Sequence, residues 1–289
     1  MTDSFTSDDE GENTTVLSVV VPVLDEARII ERTLRHLTAQ EAVDEVIVVD
    51  NGSTDGTVAI VRDFADAHPK VELLLEPRRG IAAARNAGFD KARGTIIART
   101  DADTIVDPEW GRTIREFLAD NPGTAAVTGL CTYHDSPVGF LLEFGQWALL
   151  RTGRIGGQVG NMYGPNMAVR REAWLRVGPD TQVRADVAED LDLALCLGKK
   201  GFRIDQVPAM RARTSARRRR TSPLLHWRFH LTGLRTLRDQ GIPVHPVHRV
   251  IIVAAWLGHT IQWPIYRFWD FHRRRFTLRP GDARISSVG

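Results

Sequence analysis

The chain has 289 residues, 43% of them hydrophobic, which is enough to bury the core of one large globular domain with an appendage. Its only cysteines, Cys131 and Cys196, exclude a disulfide framework and a cysteine-based zinc site, and favour a reducing compartment. The net charge of +2 hides an asymmetry, because the chain from Lys199 onward carries 19 Lys and Arg against 4 Asp and Glu, whereas the rest carries 19 against 32. A cationic last third favours nucleic acid, anionic lipid or a polyphosphate as partner.

Residues 1–15 are acidic and contain neither a basic start nor an apolar run, so we expect no secretory signal there. This segment cannot bury enough apolar surface to offset the entropy lost on ordering. We therefore predict a disordered tail on a cytoplasmic protein.

From residue 16 the sequence alternates short apolar runs with segments that have apolar residues at helical spacing. Four strand–loop–helix units are predicted, with strands at 16–21, 45–50, 71–75 and 94–100 and helices near 29–37, 56–67, 81–92 and 108–119. Unbroken apolar strands are typical of a sheet that is buried on both faces. The fold class is therefore predicted to be α/β, with a mostly parallel sheet flanked by helices.

The loops that follow these strands should meet at one edge of the sheet, where ligands bind in such folds. The first loop, PVLDEA, lacks the glycine fingerprint of a dinucleotide site, and no Walker motif occurs. The edge is acidic instead, with Asp25, Glu26, Asp50, Asp55, Asp101 and Asp103. Such a rim suits a divalent cation, or hydrogen bonds to sugar hydroxyls and base edges.

Five segments resemble, in order and spacing, the motif series of family-2 glycosyltransferases with the GT-A fold. They are VVVPVLDEARIIERTL, VIVVDNGSTDGT, RGIAAARNAG, ARTDADTIVDPEW and AEDLDLALCLGKKG. The resemblance covers about residues 16–220, of which 16–104 would form the nucleotide-binding half and 105–220 the acceptor half. It implies inverting transfer of a sugar from a nucleotide diphosphate sugar.

The resemblance also implies the positions of the binding residues. The nucleoside and nucleotide would be contacted by Pro22, Val23, Glu26, Asp50, Gly80 and Arg85. Asp101 would contact the ribose and the metal shell, Asp103 would ligate Mg²⁺ or Mn²⁺, and Asn166 would lie beneath the donor sugar.

The D-x-D pair has a simpler explanation, because aspartate is common in surface turns. A hard cation on a leaving diphosphate, however, needs only one or two carboxylates and keeps several waters. The other motifs make the metal site the preferred interpretation. Many relatives carry a metal-binding histidine near the position of Thr214, so a third protein ligand is left open.

An inverting transfer also needs a carboxylate that takes the proton of the acceptor hydroxyl. Asp190 matches the family's base, and Glu189 precedes it at a predicted helix start. The alternative is that acidic residues at that position complement the helix dipole. In TSARRRR, Arg217 and Arg218 are candidates to bind the diphosphate, although most basic runs are simply solvated.

Residues 221–289 are predicted to form a basic, amphipathic helical extension. Its run from Val250 to Tyr266 has 17 uncharged residues, which is at the short limit for a membrane span. Flanking arginines and tryptophans favour a helix lying on an anionic membrane surface over a packing helix or a true span.

We therefore expect a metal-dependent glycosyltransferase that is peripheral to the inner face of the plasma membrane, with a lipid-linked or cell-envelope acceptor. No nucleic-acid partner is expected, because no binding module is recognisable. The alternatives are a noncatalytic polyanion- or lipid-binding protein on a GT-A-like scaffold, and a nucleotidyltransferase.

Overall fold

The computed structural model describes residues 15–279, so nearly all of the predicted disordered tail lies outside the described residues. The strands are β1 (Leu17–Val23), β2 (Glu45–Asp50), β3 (Val71–Leu75), β4 (Ile96–Arg99), β5 (Ile105–Val106), β6 (Thr124–Tyr133), β7 (Gly157–Gln158), β8 (Met167–Arg170), β9 (Arg203–Thr214), β10 (Trp269–Asp270) and β11 (Arg275–Phe276). The helices are α1 (Ile30–Thr38), α2 (Thr57–Ala67), α3 (Ile81–Lys91), α4 (Trp110–Asp120), α5 (Gly139–Arg151), α6 (Arg171–Val177), α7 (Glu189–Lys199), α8 (Pro223–Asp239) and α9 (Pro246–Arg267). Short 3-10 helices occupy Gly178–Asp180 and Ala216–Arg220.

The central sheet has nine strands in the order β3-β2-β1-β4-β8-β6-β9-β5, with β7 also pairing with β9. Strands β3, β2, β1 and β4 are parallel, which confirms the predicted α/β fold with helices on the sheet. The other half is mixed, because β8 runs antiparallel to both β4 and β6. The sequence analysis missed β8, since its four residues follow a glycine-rich loop without a long apolar run.

The first half of the sheet is buried because its strands carry apolar side chains on both faces. Every residue of β1, β2 and β4 is buried. Helix α3 packs closely on this sheet through Gly88, where an added Cβ would lie 2.3 Å from Cγ1 of Val20 and 2.9 Å from Cγ2 of Val49. A larger residue at position 88 would therefore push the helix away from the strands whose ends form the site.

The amide of Asn166 joins three elements inside the core. Its Oδ1 accepts a hydrogen bond from Nε1 of Trp110 at 2.7 Å, and its Nδ2 donates to the carbonyl oxygens of Leu130 and Met210 at 2.8 and 2.9 Å. The side chain has no exposed surface. Asn166 therefore connects α4, β6 and β9 in the core behind the site.

Replacing Asn166 with alanine should lower the free energy of unfolding by about 2–4 kcal/mol, because a buried indole N–H and two carbonyl groups lose their partner. Thermal unfolding measures this as a fall in Tm of roughly 5 °C or more. The control is Asn161→Ala, at an exposed asparagine of the same loop region. Equal melting temperatures for the two variants would contradict the structural role of Asn166.

Candidate active site

A cavity of about 640 Å³ opens at the carboxyl ends of β1 and β4. Its wall is formed by the loop after β1, the D-x-D turn, residues 163–165, the start of α7, the 3-10 helix after β9, and α8. Seven of the residues predicted from the sequence line it: Pro22, Glu26, Asp101, Asp103, Asp190, Arg217 and Arg218. Folding thus brings predicted residues from four distant segments to one edge of the sheet.

Three predicted nucleotide contacts, Val23, Asp50 and Gly80, do not line the cavity. Val23 and Asp50 are paired in register at the ends of β1 and β2. The Asp50 carboxylate accepts hydrogen bonds from the backbone N–H groups of Gly52 and Ser53. Gly80 precedes α3 with a φ of 127°, which only glycine adopts readily. These residues shape the loops beside the cavity, and their contact with a nucleotide stays a prediction.

Arg85 and Asn166 are placed behind the cavity wall, which differs from the expected contact with the donor. Arg85 has no exposed surface, and its guanidinium donates to the carbonyl oxygen of Glu189 at 3.2 Å. Its guanidinium carbon lies 5.9 Å from the ring centroid of Phe89 and 5.7 Å from that of Trp174. A direct contact of either side chain with a ligand would require the core to open, because both are packed on all sides.

Arg99, at the end of β4, is a site residue that the sequence analysis missed. It is 1% exposed and donates to Oε1 of Glu189 at 2.6 Å and to Oδ1 of Asp101 at 2.9 Å. One buried cation therefore ties the D-x-D turn to the start of α7. The only signal in the sequence was a lone arginine within the apolar run GTIIART.

The two acidic residues at the start of α7 have opposite environments. Burial alone would raise the pKa of Glu189, but Arg99 and Arg85 lower it overall. Burial raises the pKa of Asp190 to about 6, and the neighbouring Glu189 charge acts in the same direction. Gly164 and Leu191 donate backbone hydrogen bonds to Asp190, but no arginine is bonded to it within residues 15–279. Only Asp190 therefore has the basicity that a proton acceptor needs near neutral pH.

Glu189, which precedes Asp190 at the helix start, is engaged in buried ion pairs. Glu189 is 8% exposed, and its carboxylate lies between the guanidinium groups of Arg99 and Arg85. These ion pairs neutralise its charge. The side chain therefore holds the site together and is not available to take a proton.

Asp103, the predicted metal ligand, is hydrogen-bonded to two side chains. Its Oδ2 accepts a hydrogen bond from Arg217 at 2.7 Å, and its Oδ1 accepts one from Thr214 at 3.2 Å. The same nitrogen of Arg217 also donates to both carboxylate oxygens of Glu26, at 3.0 and 3.1 Å. Arg217 thus bridges the first loop and the D-x-D turn.

The carboxylates of the D-x-D turn fit a hard divalent cation that is also bound by diphosphate oxygens and water. Burial raises the pKa of Asp101, and the nearby Asp103 charge adds to this effect against the opposing Arg99. A cation between two such carboxylates would relieve their repulsion. No group of three His, Cys, Asp or Glu side chains in residues 15–279 is arranged to hold a metal, so these residues offer two protein ligands and no third.

Three histidines at the far side of the cavity were also missed. His226 and His230 of α8 line the cavity, and the His226 ring stacks on His259 of α9 with centroids 3.7 Å apart. Burial lowers the pKa of His226 to about 3, and the other two histidines act in the same direction. Their position on a helical face would not distinguish them from ordinary packing residues in the sequence.

Known proteins resemble this chain in sequence. Residues 18–177 match glycosyl transferase family 2. Glycosyltransferase AglE from Haloferax volcanii is 41% identical over 98 residues, covering 32% of each chain. Chondroitin synthase from Pasteurella multocida is 30% identical over 132 residues, covering 45% of this chain and 14% of that protein. The chain thus matches a third or less of these relatives' own length.

Solved structures agree with the fold. Mannosyltransferase PcManGT from Pyrobaculum calidifontis, in complex with GDP-Man and Mn²⁺, superposes with a TM-score of 0.61 at 25% identity, over 87% of this chain and 73% of that one. Residues 1–349 of S. aureus TarS, in complex with UDP-GlcNAc, give a TM-score of 0.57 at 16% identity, over 90% and 81%, which concerns the fold alone. Because the sequence match extends over more than half of its length, the chain belongs to glycosyl transferase family 2.

Proposed function

We propose that the protein is a metal-dependent, inverting glycosyltransferase that moves a sugar from a nucleotide diphosphate sugar to a membrane-proximal acceptor, either lipid-linked or part of a cell-envelope glycan. The observation that carries the proposal is the difference in environment between the two acidic residues at the start of α7. The charge of Glu189 is paired with two arginines, while Asp190 faces the cavity with a pKa near 6. Membership of the family disfavours both the noncatalytic binding protein and the nucleotidyltransferase.

The donor would occupy the side of the cavity formed by the first loop and the D-x-D turn. Pro22 and Glu26 line that side. A divalent cation held by Asp101 and Asp103 would stabilise the charge that develops on the leaving diphosphate. Arg217 and Arg218 lie close enough to this side to bind diphosphate oxygens, a geometry that suits guanidinium groups.

Asp190 would accept the proton of the acceptor hydroxyl while that oxygen attacks the anomeric carbon on the face opposite the diphosphate. The attack forms the new glycosidic bond as the bond to the diphosphate breaks, so the anomeric configuration inverts. The Asp190 carboxylate is held by the backbone N–H groups of Leu191 at 2.8 Å and Gly164 at 3.4 Å. These contacts would orient the base, and Arg99 holds the D-x-D turn through its bond to Asp101.

Asp190→Asn should lower kcat by about 10² to 10⁴-fold with little change in donor affinity, because the amide keeps the shape but cannot take a proton. In the unchanged protein, kcat should fall about tenfold per pH unit below about pH 6, since a raised pKa leaves the base protonated there. Steady-state kinetics and calorimetric donor binding measure both effects.

Glu189→Gln is the comparison for this experiment. It should lower the free energy of unfolding by about 3–5 kcal/mol, because it leaves buried arginines without their carboxylate. A Glu189→Gln variant that melts normally but has lost turnover, beside an active Asp190→Asn variant, would assign the base to Glu189.

Asp103→Asn should weaken Mn²⁺-dependent binding of UDP or GDP by about tenfold or more, because the cation loses a charged ligand. Calorimetry with and without Mn²⁺ measures this effect directly. The control is Asp107→Asn, a carboxylate of the same connection that does not line the cavity. Unchanged Mn²⁺-dependent affinity in a folded Asp103→Asn protein would remove this residue from the metal shell.

We also propose that the protein docks on an anionic membrane surface, and the inner face of the plasma membrane stays the predicted location. In residues 15–279 no helix is both long and apolar enough to cross a bilayer. Most of the large apolar side chains exposed in this part of the chain lie on three helices. They are Phe140, Leu141, Leu142, Phe144, Trp147 and Leu149 on α5, Leu224, Leu225, Phe229 and Leu231 on α8, and Val247, Val250, Ile251, Val253, Leu257 and Ile261 on α9.

Replacing Arg273, Arg274 and Arg275 together with alanine should weaken the affinity for anionic vesicles, measured by flotation, by roughly 10²-fold. The reason is that each arginine near such a surface contributes about 1 kcal/mol. All three are exposed beyond α9. The control replaces Arg32, Arg35 and Arg62, which are exposed on α1 and α2. Equal flotation with neutral and anionic vesicles would contradict an electrostatic contribution to docking.

A further inference from the structure

The cavity has a second, cationic side, of which the donor diphosphate would use only Arg218 and not Arg219. The 3-10 helix after β9 directs successive arginines to different places. Arg217 turns to the carboxylates of the donor side, whereas Arg218 lies over the ring of Phe229 at 5.3 Å and Arg219 over that of Tyr133 at 5.6 Å. The cavity therefore runs from a carboxylate side to an arginine side.

The charge of the second side is not neutralised by the protein. Within residues 15–279, neither Arg218 nor Arg219 forms an ion pair with a carboxylate, and Arg219 is bonded only to the Tyr133 hydroxyl, at 3.2 and 3.3 Å. Both arginines line the cavity. Arg219 is half-buried in the wall, where a cation is costly unless an anion lies near, so this side favours an anionic group.

The histidines beside these arginines have unused polar atoms. Nε2 of His230 and Nδ1 of His259 are buried and have no hydrogen-bond partner among the described residues. Burial lowers the pKa of His230, and the charge of Arg219 adds to this effect. A phosphate group would supply acceptor oxygens for imidazole N–H groups and a negative charge for the arginines.

The same end of the cavity is bordered by apolar helices. Ala255 of α9 and Phe229 of α8 line it. The neighbouring positions of these helices expose large apolar side chains, including Leu225 at 44%, Ile251 at 59% and Val253 at 41%. A ligand that carries both a phosphate and a hydrocarbon chain would match the cationic wall and its apolar border together.

We propose that Arg219, His226 and His230 bind the phosphate of a lipid-phosphate acceptor, whose hydrocarbon chain lies along α8 and α9. That this lipid phosphate is the sugar acceptor rests on the proposed function, but the binding of a phosphate at these residues does not depend on it. Arg218, between the two sides, would contact the donor diphosphate. The cavity thus separates two anionic substrates, with the donor diphosphate at the D-x-D turn and the acceptor phosphate at α8.

The test measures binding of farnesyl phosphate, farnesol and inorganic phosphate to the full chain by calorimetry, with no donor present. Farnesyl phosphate should bind best, because only this probe has both groups. Arg219→Gln and His230→Gln should each weaken its binding by about tenfold or more, the usual effect of losing a charge-assisted hydrogen bond. Arg228→Gln should change it less than twofold, since this exposed arginine of α8 does not line the cavity.

Three results would overturn the proposal. If farnesol binds as tightly as farnesyl phosphate, the site is an apolar groove without a phosphate site. If inorganic phosphate binds as tightly as farnesyl phosphate, the hydrocarbon chain contributes nothing to binding. Competition by UDP or GDP with Mn²⁺ would assign Arg219 to the donor diphosphate. Only variants whose Tm equals that of the unchanged protein are compared. If Arg219→Gln does not fold, His230→Gln tests the site. Failure of nucleotides to bind at all would contradict the proposed function and leave the farnesyl phosphate result standing.

Discussion

The ion pairs of Arg99 are the interaction on which the site depends. This guanidinium is buried at the end of β4. It bonds to Asp101, which is 2 residues away in the sequence, and to Glu189, which is 90 residues away. Removing one partner of a buried ion pair typically costs about 3–5 kcal/mol, because the remaining charge is left unpaired. The D-x-D turn and the start of α7 are therefore held in one geometry by a single side chain. Arg85 reinforces this arrangement from α3, behind Glu189.

Pairing Glu189 with arginines also gives the two neighbouring carboxylates different pKa values. Two adjacent acids at a helix start would otherwise have similar proton affinities. Here one is stabilised as an anion by two cations, and its charge raises the pKa of the other. This is a general way to separate the roles of neighbouring carboxylates. Opposite charges are also separated in the cavity wall. Carboxylates lie on the side formed by the first loop and the D-x-D turn, and arginines lie on the side towards α8.

The sequence was most informative where one local rule decides the outcome. Apolar runs predicted β1 to β4, and the loops after them predicted the position of Asp103 at the cavity. Asp190 was predicted because a helix start and a motif coincide there. Residues whose meaning depends on distant partners could not be assigned this way. Arg99 is an unremarkable arginine until Glu189 is known to lie beside it, and Asn166 is a polar loop residue until Trp110 and Met210 enclose its amide.

The central claim is that Asp190 alone, of the two acids at the start of α7, changes protonation near neutral pH. Carboxyl-selective ¹³C NMR of protein labelled at aspartate and glutamate, with assignment by Asp190→Asn and Glu189→Gln, measures this directly. We predict that the Asp190 carboxyl titrates near pH 6 while the Glu189 carboxyl stays ionised throughout the neutral range. A Glu189 signal that titrates near neutrality, beside an Asp190 signal that does not, would contradict the account.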